Sequence, residues 1–140
     1  LHYPLRRQRQ MCIRDRYTAV PYIDDMEAAL AVADMVVCRS GAMTVAENSA
    51  AGLPAIYVPL PHGNGEQGLN SAHLVSTGAA LRIDDAALTP DSLYAAVSEV
   101  LGDQARLERM RAALAESGAG DVAEDIAERI AQAAQRRKEQ

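Results

Sequence analysis

The run from Ser40 to Glu47 has the residue types and spacing needed to hold an anion beside a pair of hydroxyls. It follows the apolar stretch Met35–Cys38, which predicts a strand, and it continues as a helix after Gly41. A helix that begins at a tight turn presents unbonded N–H groups and its positive dipole end to an anion. Glu47, in the second turn, can accept bonds from neighbouring hydroxyls. This pattern predicts a nucleotide pocket, with an ordinary strand-to-helix turn as the alternative.

A second polar stretch follows the next predicted strand. The segment from Pro59 to Gly65 contains two prolines and two glycines, which predict a loop. The helix after this loop carries the amides Gln67 and Asn70 near its start. An amide both donates and accepts hydrogen bonds, so it suits a polyhydroxyl ligand. We expect His62, inside the loop, to fix the loop by hydrogen bonding rather than to act as a base.

The elements that position these residues alternate between strand and helix. Extended segments are predicted at 20–23, 35–38, 54–60 and 80–83, and helices begin after Asp24 or Asp25, at Met43, at Gln67, at Pro90, before Leu107 and at Asp121. Such alternation indicates an α/β fold, a Rossmann-like parallel sheet with helices on both faces. Ligands bind such sheets beyond the carboxyl ends of the strands, where the loops after 20–23, 35–38 and 54–60 would converge.

Composition limits the classes of partner. Residues 17–140 carry nine Lys or Arg and eighteen Asp or Glu, and this acidic balance argues against nucleic acid as the main partner. No apolar run is long enough to predict a transmembrane segment, and no secretory signal is recognisable. The two cysteines, Cys12 and Cys38, are expected to be free thiols.

The first sixteen residues differ from the rest of the chain. They hold five arginines and a single acid, without helical or strand periodicity. The run from Met11 to Arg16 resembles translated sequencing-adapter read-through. We therefore expect residues 1–16 to be a non-native or disordered segment, and we assign the fold to residues 17–140.

Four blocks of sequence together resemble the MurG family of glycosyltransferases. They are YIDDM at 22–26, CRSGAMTVAE at 38–47, AAGLPAIYVPLPH at 50–62, and the spacing of His62, Gln67 and Asn70. The family transfers N-acetylglucosamine (GlcNAc) from UDP-GlcNAc to the lipid-linked muramoyl-pentapeptide of peptidoglycan. The resemblance covers about residues 20–135. It implies that residues 17–140 are the UDP-GlcNAc-binding domain, the C-terminal half of a GT-B glycosyltransferase.

The resemblance implies a set of donor contacts. The residues expected to bind UDP-GlcNAc are Ile23, Ser40, Gly41, Ala42, Met43, Thr44, Val45, Ala46, Glu47, Gln67 and Asn70. Ile23 would offer its backbone to uracil, Ala42–Thr44 would hold the diphosphate, and Glu47 would bind the ribose. Gln67 would bond the transferred sugar, with Asn70 beside it. Neither a cofactor nor a divalent metal is implied.

Three residues near these contacts have other expected roles. Glu66 stands where the family commonly has a second amide, so the chain departs from the family there. Arg39 is expected to pair with Asp34 or Glu47, with a phosphate contact as the alternative. Cys38 is expected to be a packed small hydrophobe rather than a nucleophile.

The resemblance also implies what lies elsewhere. The family's catalytic histidine, its acceptor loops and its membrane-docking patch belong to the N-terminal half, so no catalytic residue is expected in this chain. The lipid-linked acceptor would be bound through that half. The full-length protein is expected to be peripheral at the cytoplasmic face of the bacterial plasma membrane. The fragment itself is expected to be soluble and, alone, inactive.

Three alternatives remain open from the sequence. One is a stand-alone donor-binding subunit of a split glycosyltransferase. Another is a different UDP-sugar enzyme of the GT-B fold, such as another transferase or an epimerase. The last is a flavodoxin-like binding module without sugar chemistry.

Overall fold

The computed structural model describes residues 17–62, 65–117, 127–132 and 135–136. The segment 1–16 and the predicted start of the last helix at Asp121 lie outside the described residues. The elements in chain order are α1 (Met26–Val32), β1 (Val36–Cys38), α2 (Ala42–Ala50), β2 (Ala55–Tyr57), α3 (Glu66–Ser76), β3 (Ala80–Arg82), a 3-10 turn (Asp85–Ala87), α4 (Pro90–Leu101) and α5 (Gln104–Glu116).

The described strands form one parallel sheet in the order β1-β2-β3. Val36, Ala55 and Ala80 lie side by side across it, and so do Cys38, Tyr57 and Arg82. Because all three strands run the same way, the segments that follow them leave from the same edge of the sheet. This edge carries the turn before α2 and the loop before α3, as the sequence predicts.

Successive strand residues point to opposite faces of the sheet, and helices pack against both faces. On one face, Ala55 and Tyr57 belong to a buried cluster with Val45 of α2 and Leu74 of α3. On the other, Leu81 packs against a second buried cluster, which is formed by Val100, Leu107 and Met110 of α4 and α5. The spacing of Leu107, Met110 and Leu114 at i, i+3 and i+7 predicts a buried stripe on α5, and this is confirmed because all three residues are buried.

Helix ends follow their sequence signals. The side chain of Asp25, not Asp24, caps α1 by accepting from the N–H of Ala28 at 2.9 Å. Thr89, which precedes Pro90, caps α4 and forms a reciprocal capping box with Ser92. A glycine just after a helical run predicts a left-handed C-cap, and Gly52 adopts this conformation just after α2.

Three sequence expectations are corrected. The segment 20–23 forms no strand; it is exposed and lies outside the described sheet. The continuous apolar run at 35–38 predicts a strand buried on both faces, but β1 is an edge strand of the described sheet and Val37 is 42% exposed. The apolar spacing of α4 predicts both Val100 and Leu101 in its core stripe, but Leu101 is 49% exposed, whereas Val100 is buried in the second cluster.

Candidate functional site

Ser40 is the residue that joins the two predicted halves of the site. Its side chain is fully buried, and its hydroxyl donates to the backbone carbonyl of Gln67 at 2.7 Å. Its own carbonyl accepts from the side-chain Nδ2 of Asn70 at 3.0 Å. Two hydrogen bonds in opposite directions therefore fix the turn before α2 against the first turns of α3.

The start of α2 is open to a ligand. Gly41 is the N-cap, and no side chain caps this end. The first N–H groups of a helix have no partner within the helix, so those of Ala42, Met43 and Thr44 are available to an anion. Ala42 and Met43 are exposed and Thr44 is half-buried. This end of the helix has the polarity and the access that a diphosphate needs.

The amides of α3 are partly occupied by the protein itself. Oε1 of Gln67 accepts from the backbone N–H of Leu60 at 3.0 Å, which leaves Nε2 without a bond to another described residue. Asn70 uses its Nδ2 on Ser40, which leaves its Oδ1 as the polar atom with no bond to the described chain. Gln67 is therefore set to donate to a ligand oxygen, whereas Asn70 first of all holds the turn.

The other predicted contacts differ in how accessible they are. Glu47 and Ala46 are exposed on α2, and Ile23 is 39% exposed in the segment before α1. The described hydrogen bonds join Ser40, Gln67 and Asn70 but do not reach Ile23, so its place in the site stays a prediction.

Val45 requires a correction. Its side chain is in the buried core cluster, and its N–H donates to the carbonyl of Gly41 at 2.9 Å. Both groups are used inside the fold, because a residue three positions into an amphipathic helix returns to the face that packs on the sheet. Val45 therefore packs α2 against the sheet and does not face a ligand.

Arg39 has other partners than the sequence suggests. It forms an ion pair with Asp85, while Asp34 lies 3.5 Å from Nη2 of Arg111. The expected pairing of Arg39 with Asp34 or Glu47 is wrong. The reason is that its guanidinium crosses the carboxyl edge of the sheet towards the segment after β3, a direction that spacing along the chain does not reveal.

A buried polar group behind the site was missed by the sequence analysis. Asn48, on α2, is buried and directs Nδ2 to Sγ of Cys38 at 3.4 Å and to Oη of Tyr57 at 3.5 Å. Burial raises the pKa of both the Cys38 thiol and the Tyr57 hydroxyl, and the bond from Asn48 lowers each in part. Both groups are thus kept neutral, which agrees with Cys38 as a packing residue. The signal available in the sequence was a polar residue on the side of α2 that packs against the sheet.

Two further properties concern metals and membranes. In the described ranges, no group of three His, Cys, Asp or Glu side chains could hold a metal ion. None of the helices in the same ranges is long and apolar enough to cross a bilayer.

Comparisons with known proteins identify the family. Residues 4–128 match the model of the glycosyltransferase family 28 C-terminal domain. The chain belongs to this family. Its match begins at residue 4, and the expected non-native character of residues 1–16 stays a prediction.

Individual members of the family are closely similar. A Corynebacterium efficiens protein named UDP-N-acetylglucosamine--N-acetylmuramyl-(pentapeptide) pyrophosphoryl-undecaprenol N-acetylglucosamine transferase is 54% identical over 96% of this chain and 37% of its own length. A Mycobacterium tuberculosis protein of the same name is 57% identical over 79% of this chain and 27% of its own length. The chain thus spans about a third of the curated relatives it matches.

Solved structures give the same family. The crystal structure of Acinetobacter baumannii MurG matches with a TM-score of 0.64 and 34% identity, over 69% of this chain and 28% of that one. The predicted resemblance to MurG is confirmed. The predicted fold class is confirmed as well: this is the parallel α/β domain that forms the C-terminal half of GT-B glycosyltransferases.

Proposed function

We propose that this chain is the donor-binding domain of an inverting glycosyltransferase that uses UDP-GlcNAc. The complete protein would transfer GlcNAc to the lipid-linked muramoyl-pentapeptide during peptidoglycan synthesis. The observation that carries the proposal is the double hydrogen bond at Ser40, which places the open start of α2 beside Gln67. The names and the high identity of the Corynebacterium and Mycobacterium relatives support the choice of donor and acceptor.

Each part of the donor has a proposed partner. The diphosphate would accept bonds from the first N–H groups of α2, with the hydroxyl of Thr44 beside them. The ribose hydroxyls would donate to the carboxylate of Glu47. A sugar oxygen would accept from Nε2 of Gln67, and uracil would bond the backbone of Ile23. Binding through N–H groups and one acid requires no metal ion.

This domain alone is proposed to bind the donor without transferring it. Inverting transfer needs a base that deprotonates the acceptor hydroxyl, and it needs the donor site to be closed from water. We assign both tasks to the N-terminal half of the complete protein. We also propose that the complete protein acts as a peripheral protein at the cytoplasmic face of the plasma membrane, since its acceptor is attached to a lipid. Nothing in the comparisons favours a split subunit or an epimerase.

Calorimetry with nucleotides tests the proposal directly. We expect the chain to bind UDP and UDP-GlcNAc, with little affinity for ADP or GDP. Glu47→Gln should weaken UDP binding by about 1–3 kcal/mol, because the ribose would lose a charged acceptor. Glu116→Gln, which changes another exposed helical acid on α5, is the matched control and should leave affinity unchanged. Equal affinity for the three nucleoside diphosphates would refute the proposal.

A further inference from the structure

One side chain reaches the carboxyl ends of all three described strands. Arg39 directly follows β1, and its Nη1 donates to the carbonyl of Val58, just after β2, at 3.2 Å. The same atom lies 3.5 Å from the carbonyl of Pro59. The third partner is Asp85, in the 3-10 turn after β3, with which Arg39 forms an ion pair. The guanidinium therefore lies across the edge of the sheet at which the candidate site is built.

The role of this contact is to hold the segments after the strands in place. All three partners are contacted by Nη1, a cationic nitrogen with two N–H groups, whose place at the end of a long side chain lets it reach both the segment after β2 and the segment after β3. The side chains of Arg39 and Asp85 are 45% and 34% exposed, and an ion pair as exposed as this contributes little to stability. What the contact supplies is a fixed distance between the segments after the strands.

The segment after β2 orients the side-chain amide of Gln67, which is proposed to bind the sugar. Val58 and Pro59 immediately precede Leu60, whose N–H donates to Oε1 of Gln67. That bond orients the amide of Gln67 and leaves its Nε2 to donate. A change in the path of 58–59 would move Leu60 and release the amide to rotate.

We infer that Arg39 is a positioning residue that fixes the loop after β2, and through Leu60 the amide of Gln67, for recognition of the sugar part of the donor. The inference rests on the proposed function and extends it by separating recognition of the sugar from recognition of the nucleotide. It also gives Arg39 a role in holding the loop, which differs from the phosphate contact considered from the sequence.

The inference is tested with Arg39→Gln in the full chain. Its first readout, amide hydrogen exchange of Leu60 measured by NMR without ligand, does not depend on the function. We expect exchange at Leu60 to become about tenfold faster, the scale of one lost hydrogen bond. The second readout is calorimetry, in which affinity for UDP-GlcNAc should fall about tenfold more than affinity for UDP. Arg39→Lys, which keeps a cationic nitrogen with N–H donors at the end of the side chain, should change both values less than Arg39→Gln does.

A matched control and a milder variant complete the design. Arg106→Gln removes another arginine ion pair, the one with Glu99, which joins α4 to α5 and involves no strand end. It should change neither readout. Asp85→Asn keeps the bonds of Arg39 to the carbonyls and removes only the charge pair. It should give a smaller change in the same direction, and it serves in place of Arg39→Gln if that variant does not fold.

The outcomes separate the two claims. Unchanged exchange at Leu60 in Arg39→Gln would overturn the inference. Equal loss of UDP and UDP-GlcNAc affinity would also overturn it, because that pattern describes a phosphate ligand. If the unmodified chain binds neither nucleotide while Arg39→Gln still frees Leu60, the proposed function fails, and the effect of Arg39 on the loop stands.

Discussion

Asn48 shows at the residue scale how a polar side chain inside the core sets the state of its neighbours. It is 2% exposed and bonds both Cys38 and Tyr57, one from each of two adjacent strands. Burial is the larger effect on both groups and raises their pKa values. The neutral thiol and the neutral phenol are therefore the forms that the fold stabilises.

The raised pKa values predict a loss of stability in alkali. A group whose folded pKa lies above its unfolded value holds its proton longer in the native state, so stability falls as pH rises past the unfolded value. For Cys38 that decline begins near the ordinary value of 9.0, and for Tyr57 near 10.0. Urea unfolding across this range should show the free energy of unfolding decreasing with pH.

Variants assign this decline to its source. Tyr57→Phe removes the upper titration and Cys38→Ala the lower one, so each should flatten its part of the profile. Tyr94→Phe is the control, because Tyr94 is 75% exposed on α4 and should leave the profile unchanged. A profile equally steep in all variants would show that other groups cause the decline.

At the element scale, the position of α3 depends on how that helix begins. Gly65 is its N-cap and has a φ of 73°, in the left-handed region. A side chain would meet no atom within 4 Å there, so the constraint comes from the backbone and not from space. Gly41, the N-cap of α2, has a φ of −62°, which any residue can adopt. The backbone conformation therefore favours glycine at the start of α3 but not at the start of α2.

Alanine substitution at the two helix starts tests this difference. Gly65→Ala should destabilise the chain by about 1–2 kcal/mol, the cost of a left-handed conformation for an L-residue. Gly41→Ala should leave stability unchanged, because the added Cβ would be 3.8 Å from Oγ1 of Thr44, an ordinary contact. Thermal and urea unfolding measure both effects. If Gly41→Ala keeps stability but weakens UDP binding, a phosphate approaches the backbone at this turn, and unaffected binding would exclude that approach.

Strand predictions were less accurate than helix predictions for a physical reason. The caps of α1 and α4 and the glycine after α2 are local signals, read from residues a few positions apart. A strand needs a partner that can be far away in the chain. The segment 20–23 is apolar enough to be extended but has no pairing in the described sheet, and Val37 is exposed although it lies in a continuous apolar run.

At the scale of the whole molecule, α5 connects the two halves of the core. Its Leu114 belongs to the buried cluster on one face of the sheet, and its Leu107 and Met110 belong to the cluster on the other face. Each strand of the sheet between the clusters has only three residues, and α5 is the described helix with buried residues in both clusters. Loss of packing at either end of α5 should therefore affect the entire domain.

This arrangement predicts a single cooperative transition. Met110→Ala and Leu114→Ala should each lower the free energy of unfolding by about 2–5 kcal/mol, the usual cost of truncating a buried side chain. Circular dichroism and the exchange of amides in α2 and α4 should report the same midpoint in each variant. Leu69→Ala, at a residue that is 74% exposed, is the control and should change stability by about 0.5 kcal/mol or less. Two separate midpoints would show that the clusters unfold independently.

Local signals in the amino-acid sequence predicted the helix ends and the order of the helices and of the three strands in the described sheet. These were enough to predict the fold class and to point to the turn at Ser40 and to the amides of α3. The reason is that periodicity, capping and turn chemistry act over a few residues.

The groups that meet at the carboxyl edge of the sheet are brought together by the tertiary fold and could not be paired from their spacing along the chain. Ser40 bonds Gln67 across 27 positions, Asn70 bonds Ser40 across 30, and Arg39 pairs with Asp85 across 46. Val45 turned inward and Asn48 became buried for the same reason. Such contacts depend on the order of strands in the sheet and on the face of each helix that packs against it, and both are set by burial of the whole core.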